Sequence, residues 1–107
     1  MTWQEAKAQA KAWVESRMAQ HPCPQPGDVV RLTDYEDEAT HSFLKPEDRW
    51  SLTFHRMITK AVGREFRKRG MVVEIVMIRL AEYWSWLEAK NRKDSAAQRA
   101  AYINEKI

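Results

Sequence analysis

Hydrophobic and polar positions recur with a helical period through most of the chain, most clearly from Pro46 to Arg69 (PEDRWSLTFHRMITKAVGREFRKR). At about 100° per residue, Arg49, Arg56, Lys60, Arg64 and Arg67 gather within an arc of roughly 80°. Trp50, Phe54, Met57, Ile58, Ala61, Val62 and Phe66 take the opposite half. The pattern predicts one continuous central helix over 46–69. Pro46 suits its first turn, Glu47 and Asp48 complement its positive end, and Gly70 closes it.

The same reading places the flanking elements. Thr2 and Glu5 form a T-x-x-E capping box before a helix whose inner face is Trp3, Ala6, Ala10, Trp13, Val14 and Met18. That helix ends near Gln20, because Pro22 disfavours helix at the residue before it. His21 to Gly27 (HPCPQPG) is a stiff, Pro-rich connector, and DVVRLT offers a short strand near residues 29–33. Asp34 to Glu38 (DYEDE) reads as a solvated acidic loop.

Residues 71–90 carry two patterns. Met71–Ile78 alone has the β-branched content of a strand. Over the longer window, Val72, Val73, Val76, Met77, Leu80, Tyr83, Trp84 and Leu87 stay on one side through about five turns, which favours a helix. Ser95 and Gln98 then open a last helix with a thin stripe of Ala96, Ala100, Ile103 and Ile107. The expectation is a mostly α, single-domain bundle (1–107) of about four helices, with the connector at 21–27 and the acidic loop at 34–38.

Charge adds an asymmetry to this frame. Residues 1–48 carry five Lys/Arg against nine Asp/Glu, and residues 49–107 carry thirteen against six. A basic second half fits a polyanion partner, or attraction between the two halves. The single cysteine, Cys23, forbids an intrachain disulfide, which fits a reducing compartment. The N-terminus has no signal-peptide pattern. The longest apolar run, near Met71–Ile78, is far shorter than the about 20 residues of a bilayer span. The expected location is cytoplasmic, with no membrane partner.

The candidate chemistry is binding rather than catalysis. A row of arginines at one-turn spacing can follow phosphates, so Arg49, Arg56, Lys60, Arg64, Arg67 and Lys68 are the candidate nucleic-acid contacts. Gly63 beside the row would let a backbone approach closely. Trp13, Trp50 and Trp84 fall on core faces. Trp3 and Trp86 are less easily hidden within one small domain, which makes them candidate anchors for a protein partner or a second copy in a homodimer. The leading expectation is an accessory or regulatory factor binding DNA or RNA. The alternative is an adaptor or inhibitor docking on an acidic protein surface or a larger nucleic-acid-handling complex.

His21, Cys23, His41 and His55 lack the paired short spacing of zinc ligands, so no metal and no cofactor are expected. Phosphate-binding glycine motifs and nucleophile elbows are absent from the sequence, and no enzyme activity is expected.

Overall fold

A computed structural model describes residues 2–48 and 50–105. Among these lie five helices and two strands, in the order α1 (Trp3–Met18), β1 (Val29–Tyr35), α2 (Glu38–Leu44), α3 (Leu52–Lys68), β2 (Val72–Ile78), α4 (Leu80–Ala89) and α5 (Ala96–Glu105). The protein is mostly helical, built on a small parallel sheet in which β1 and β2 pair from Val29↔Val72 to Tyr35↔Ile78. Parallel strands need a long crossover, and α2 with α3 supplies it.

The sheet separates two hydrophobic clusters. Val30, Leu32 and Val73 pack with Ala10 and Val14 of α1 and with Ala61, Val62 and Phe66 of α3. Tyr35, Val76 and Ile78 pack with Leu44, Leu52, Tyr83, Leu87, Tyr102 and Ile103, from α2 through α5. In α1 the fully buried positions are Ala6, Ala10 and Val14, at spacings of four, so small side chains let this helix lie close to α3.

Local signals account for the ends. Thr2 Oγ1 accepts from the Glu5 N–H at 3.2 Å, and Ser95 Oγ from the Gln98 N–H at 3.1 Å, as the two capping boxes predict. Gly70 has φ of +89°, where L side chains are strained. Its N–H donates to Arg67 O and the Met71 N–H donates to Phe66 O, which makes a Schellman close to α3. Asn91, at φ of +52°, plays the same part after α4.

Several expectations change. Residues 71–90 are not one helix but β2 followed by α4, and the described residues hold five helices rather than four. The run of β-branched residues at 72–78 finds backbone partners on β1, some 43 positions earlier in the register. The strand near 29–33 extends to Tyr35. The central helix starts at Leu52, not Pro46, with Ser51 Oγ accepting from the Phe54 N–H. Residues 45–48 make a turn instead, closed by Asp48 N–H to Lys45 O.

The acidic loop at 34–38 is also corrected. It holds the end of β1 and the start of α2, and its carboxylates are engaged one by one. Asp34 pairs with Arg56 at 2.9 Å. Glu36 Oε1 accepts from the Leu80 N–H at the start of α4, at 3.1 Å. Asp37 caps α2 through the Thr40 N–H at 2.8 Å. Glu38 takes the Leu52 N–H at the start of α3, at 2.9 and 3.2 Å. Three helix N-termini thus end on three acids of one short segment, where the macrodipole favours negative charge.

Candidate functional site

The solvent side of α3 carries the sequence-predicted cations, but they are not equivalent. Arg56 is drawn back onto the fold. Its Nε donates to Asp34 and its Nη2 to Tyr35 O at 2.8 Å. Beside it the His55 ring meets Thr33 O at 3.2 Å, so α3 side chains serve two alternate carbonyls of β1. Arg56 therefore leaves the expected ridge, because its guanidinium is already forked between a carboxylate and a carbonyl.

Lys60, Arg64 and Arg67 remain exposed. The Arg64 guanidinium lies over the Trp3 ring, 5.2 Å from its centroid, which steadies the side chain. Lys60 and Arg67 have no ion pair among the described residues. Lys68 sits 3.7 Å from Glu65, whose other partner is Arg69 at 2.9 Å. The Arg69 hydrogen bond is the main reason the Glu65 carboxyl titrates below its ordinary value. Arg49 lies outside the described residues. Gly63 is buried against the protein's own sheet, with Val73 Cγ1 at 3.4 Å, Arg67 Nη1 at 3.7 Å and Leu32 Cδ1 at 3.9 Å nearest its missing side chain. The close approach it permits is helix on sheet, not protein on ligand.

The tryptophans are partly exchanged relative to expectation. Trp13 is 51% exposed and meets Phe66 edge-on, and Trp84 is 39% exposed. Trp86 instead packs between Tyr83 and Tyr102 and carries Lys90 and Arg92 over its ring. The reason is helical phase. The inward side of α4 takes in Leu80, Tyr83, Trp86 and Leu87, turned toward Tyr102 of α5, which leaves Trp84 outside. Trp84 forms an edge-to-face pair with Phe43, itself 59% exposed. In α5 the buried positions are Arg99, Tyr102 and Ile103, whereas Ala96 and Ala100 of the expected stripe are exposed. Ile107 lies outside the described residues.

A cavity of about 500 Å³ runs beside β1, between Trp13 of α1, His55 of α3 and Arg99 of α5. Beside this cavity, three residues from separate segments converge, of which Asp48 and His55 line it. His41 of α2 is buried, and its Nε2 is 3.0 Å from Asp48 Oδ2. His55 of α3 stacks at a tilt on His41, with ring centroids 5.2 Å apart, and Tyr35 touches both rings. Burial, the largest cause, holds the His55 imidazole below its ordinary pKa. Burial likewise raises the Tyr35 phenol to about 12. One ligand atom each from His41, Asp48 and His55 lie within 4.8 Å of one another. Sequence spacing did not reveal this group, since seven-residue intervals match no ligand motif. The sequence pattern makes Asp48 a helix-end charge, whereas the turn at 45–48 brings it onto His41. His21 and Cys23 stay in the connector, outside this group.

Fold and surface define a small, mostly helical domain on a two-stranded parallel sheet, with a basic helix face and a lateral cavity. No protein-family model matches the sequence, and no curated protein matches it significantly. Among the described residues, no helix is long and apolar enough to cross a membrane.

Proposed function

We propose that the protein is a non-enzymatic nucleic-acid-binding accessory factor that lays the Lys60–Arg64–Arg67 face of α3 along a phosphate backbone. The observation that carries this reading is the placement of three exposed cations on one solvent face. None of them pairs with a carboxylate among the described residues, while neighbouring Arg56, Lys68 and Arg69 are engaged. The three side chains span about 10.5 Å of helix axis, about three phosphates at 3.4 Å of rise per strand.

Fluorescence anisotropy on duplex DNA and on single-stranded RNA, across a salt series, tests it. With three phosphates neutralised, log K falls against log salt with a slope of about −2.7 on duplex DNA and about −2.1 on single strands. The triple variant Lys60→Glu, Arg64→Glu, Arg67→Glu abolishes binding and keeps the fold. Unchanged affinity in that variant would overturn the reading.

The exposed Phe43–Trp84 pair favours a second reading, an adaptor whose aromatic anchor meets another protein or a second copy. Trp84, rather than Trp86, is then the anchor. Under this reading Trp84→Ala weakens a protein complex, and bare nucleic acid binds poorly at all salt concentrations.

A further inference from the structure

We propose that His41, Asp48 and His55 form a binding site for one divalent transition-metal ion of the zinc class. The site is independent of the basic face of α3 and of any nucleic-acid contact made there.

The hydrogen bonds assign the nitrogens. Thr33 O can only accept, so the ring nitrogen beside it, His55 Nε2, carries the proton. In the neutral ring the lone pair then sits on Nδ1. A histidine whose outer N–H is held by a backbone carbonyl has the arrangement that orients metal-ligating imidazoles.

His41 shows the converse feature. The side chain is 2% exposed, its Nε2 is held against Asp48, and its Nδ1 is buried with no hydrogen-bond partner. The nearest carboxylate to Nδ1 is Glu38 Oε1, at 3.9 Å. As a simple His–Asp hydrogen bond, the pair strands a buried nitrogen. An ion lying between Nε2 and the Asp48 carboxylate takes the Nε2 lone pair, so the neutral ring's single proton shifts from Nε2 to Nδ1. That N–H then faces Glu38, the carboxylate–histidine–metal relay common at such sites. A small movement of Glu38, whose side chain is 59% exposed, closes the contact.

The donor set selects the ion. Two imidazoles and one carboxylate suit zinc, cobalt, nickel or ferrous iron and disfavour magnesium and calcium, which prefer oxygen. Ligands about 2.1 Å from zinc at tetrahedral angles lie about 3.4 Å apart. One ring nitrogen of each histidine and one Asp48 oxygen lie within 4.8 Å of one another, so binding draws the donors together. Asp48 and His55 both line the cavity, which gives the ion an entry path and an open fourth position. Two cations stand nearby. Arg99 is neutralised by Asp94 at 2.8 Å. Lys45 Nζ is 3.9 Å from Asp48 Oδ1, the other oxygen of the carboxylate that faces His41.

Zinc and cobalt titrations of the full chain test the proposal, by equilibrium dialysis and by the visible absorption of bound cobalt. The expected result is one equivalent bound. Asp48→Asn and His55→Gln, each checked for native circular dichroism, lose it. Cys23→Ser keeps it, which separates this site from the His21–Cys23 pair in the connector. Imidazole resonances of the unaltered protein give a readout that does not depend on variants folding. The chain has three histidines, and zinc shifts His41 and His55 while leaving His21 in place. Failure to bind either metal stoichiometrically, or a zinc response confined to His21, would overturn the proposal.

Discussion

Arg56 and Asp34 are held together at 2.9 Å across the junction of α3 and β1, with the Tyr35 carbonyl as a second acceptor for the same guanidinium. A helical-wheel reading places Arg56 at the heart of a basic ridge. The contact makes it a clamp on the strand edge instead. Edge carbonyls left bare would offer a pairing template to another chain, and this side chain covers one of them.

Arg56→Ala is therefore expected to reduce stability and leave polyanion affinity nearly unchanged. The pair is half exposed, so the cost is about 1 kcal/mol, at the upper end for surface ion pairs. Urea denaturation reads the first effect and anisotropy the second. A loss of nucleic-acid affinity as large as that of Lys60→Ala, with stability intact, would return Arg56 to the binding surface.

Glu36 and Glu38 each close the N-terminus of a helix distant in sequence, through Leu80 and Leu52. Replacing either by Ala removes an acceptor from a helix end, a change worth about 0.5–2 kcal/mol. Both variants should unfold at lower urea than the unaltered chain, with nearly additive shifts in the double variant. Side chains of an ordinary solvated loop would give shifts within about 0.5 kcal/mol of zero.

The glycines within and after α3 answer differently to alanine. At Gly63 a new Cβ would stand 3.4 Å from Val73 Cγ1, an ordinary contact, and the helix gains up to about 1 kcal/mol of propensity. At Gly70 the backbone is at φ of +89° and a Cβ would come within 3.2 Å of Pro26 Cβ. Gly70→Ala should cost about 1–2 kcal/mol for the left-handed backbone alone. Thermal melts of the two single variants should move in opposite directions, or Gly63→Ala should stay level while Gly70→Ala falls.

Tyr83 is fully buried and its hydroxyl donates a short hydrogen bond to Asp94, which Arg99 also holds. Burial first, and the Asp94 bond second, push its phenol well above the ordinary value of 10.0. The folded chain keeps this proton where the unfolded chain releases it. The contribution is thus complete below about pH 10 and is lost as pH rises toward the folded value. Tyr83→Phe should cost about 1 kcal/mol at neutral pH. Its stability should then decline less steeply above about pH 10 than that of the unaltered protein. Denaturation midpoints on both sides of that pH check the sign.

The sequence determined by itself what depends on near neighbours. Thr2–Glu5 and Ser95–Gln98 capping, the α1 stripe through Ala6, Ala10 and Val14, the Gly70 close and the apolar face of α3 all rest on contacts within a turn or two. Tertiary structure decided the rest. Residues 72–78 became a strand because β1 supplied a register of backbone partners. Trp84 turned outward because α4 packs through its Tyr83–Trp86–Leu87 side against α5. The carboxylates of 34–38 became caps because three helix ends converge on them, and Asp48 met His41 because a turn brought it back. These outcomes depend on groups far apart along the chain coming together, and local periodicity carries no record of such encounters.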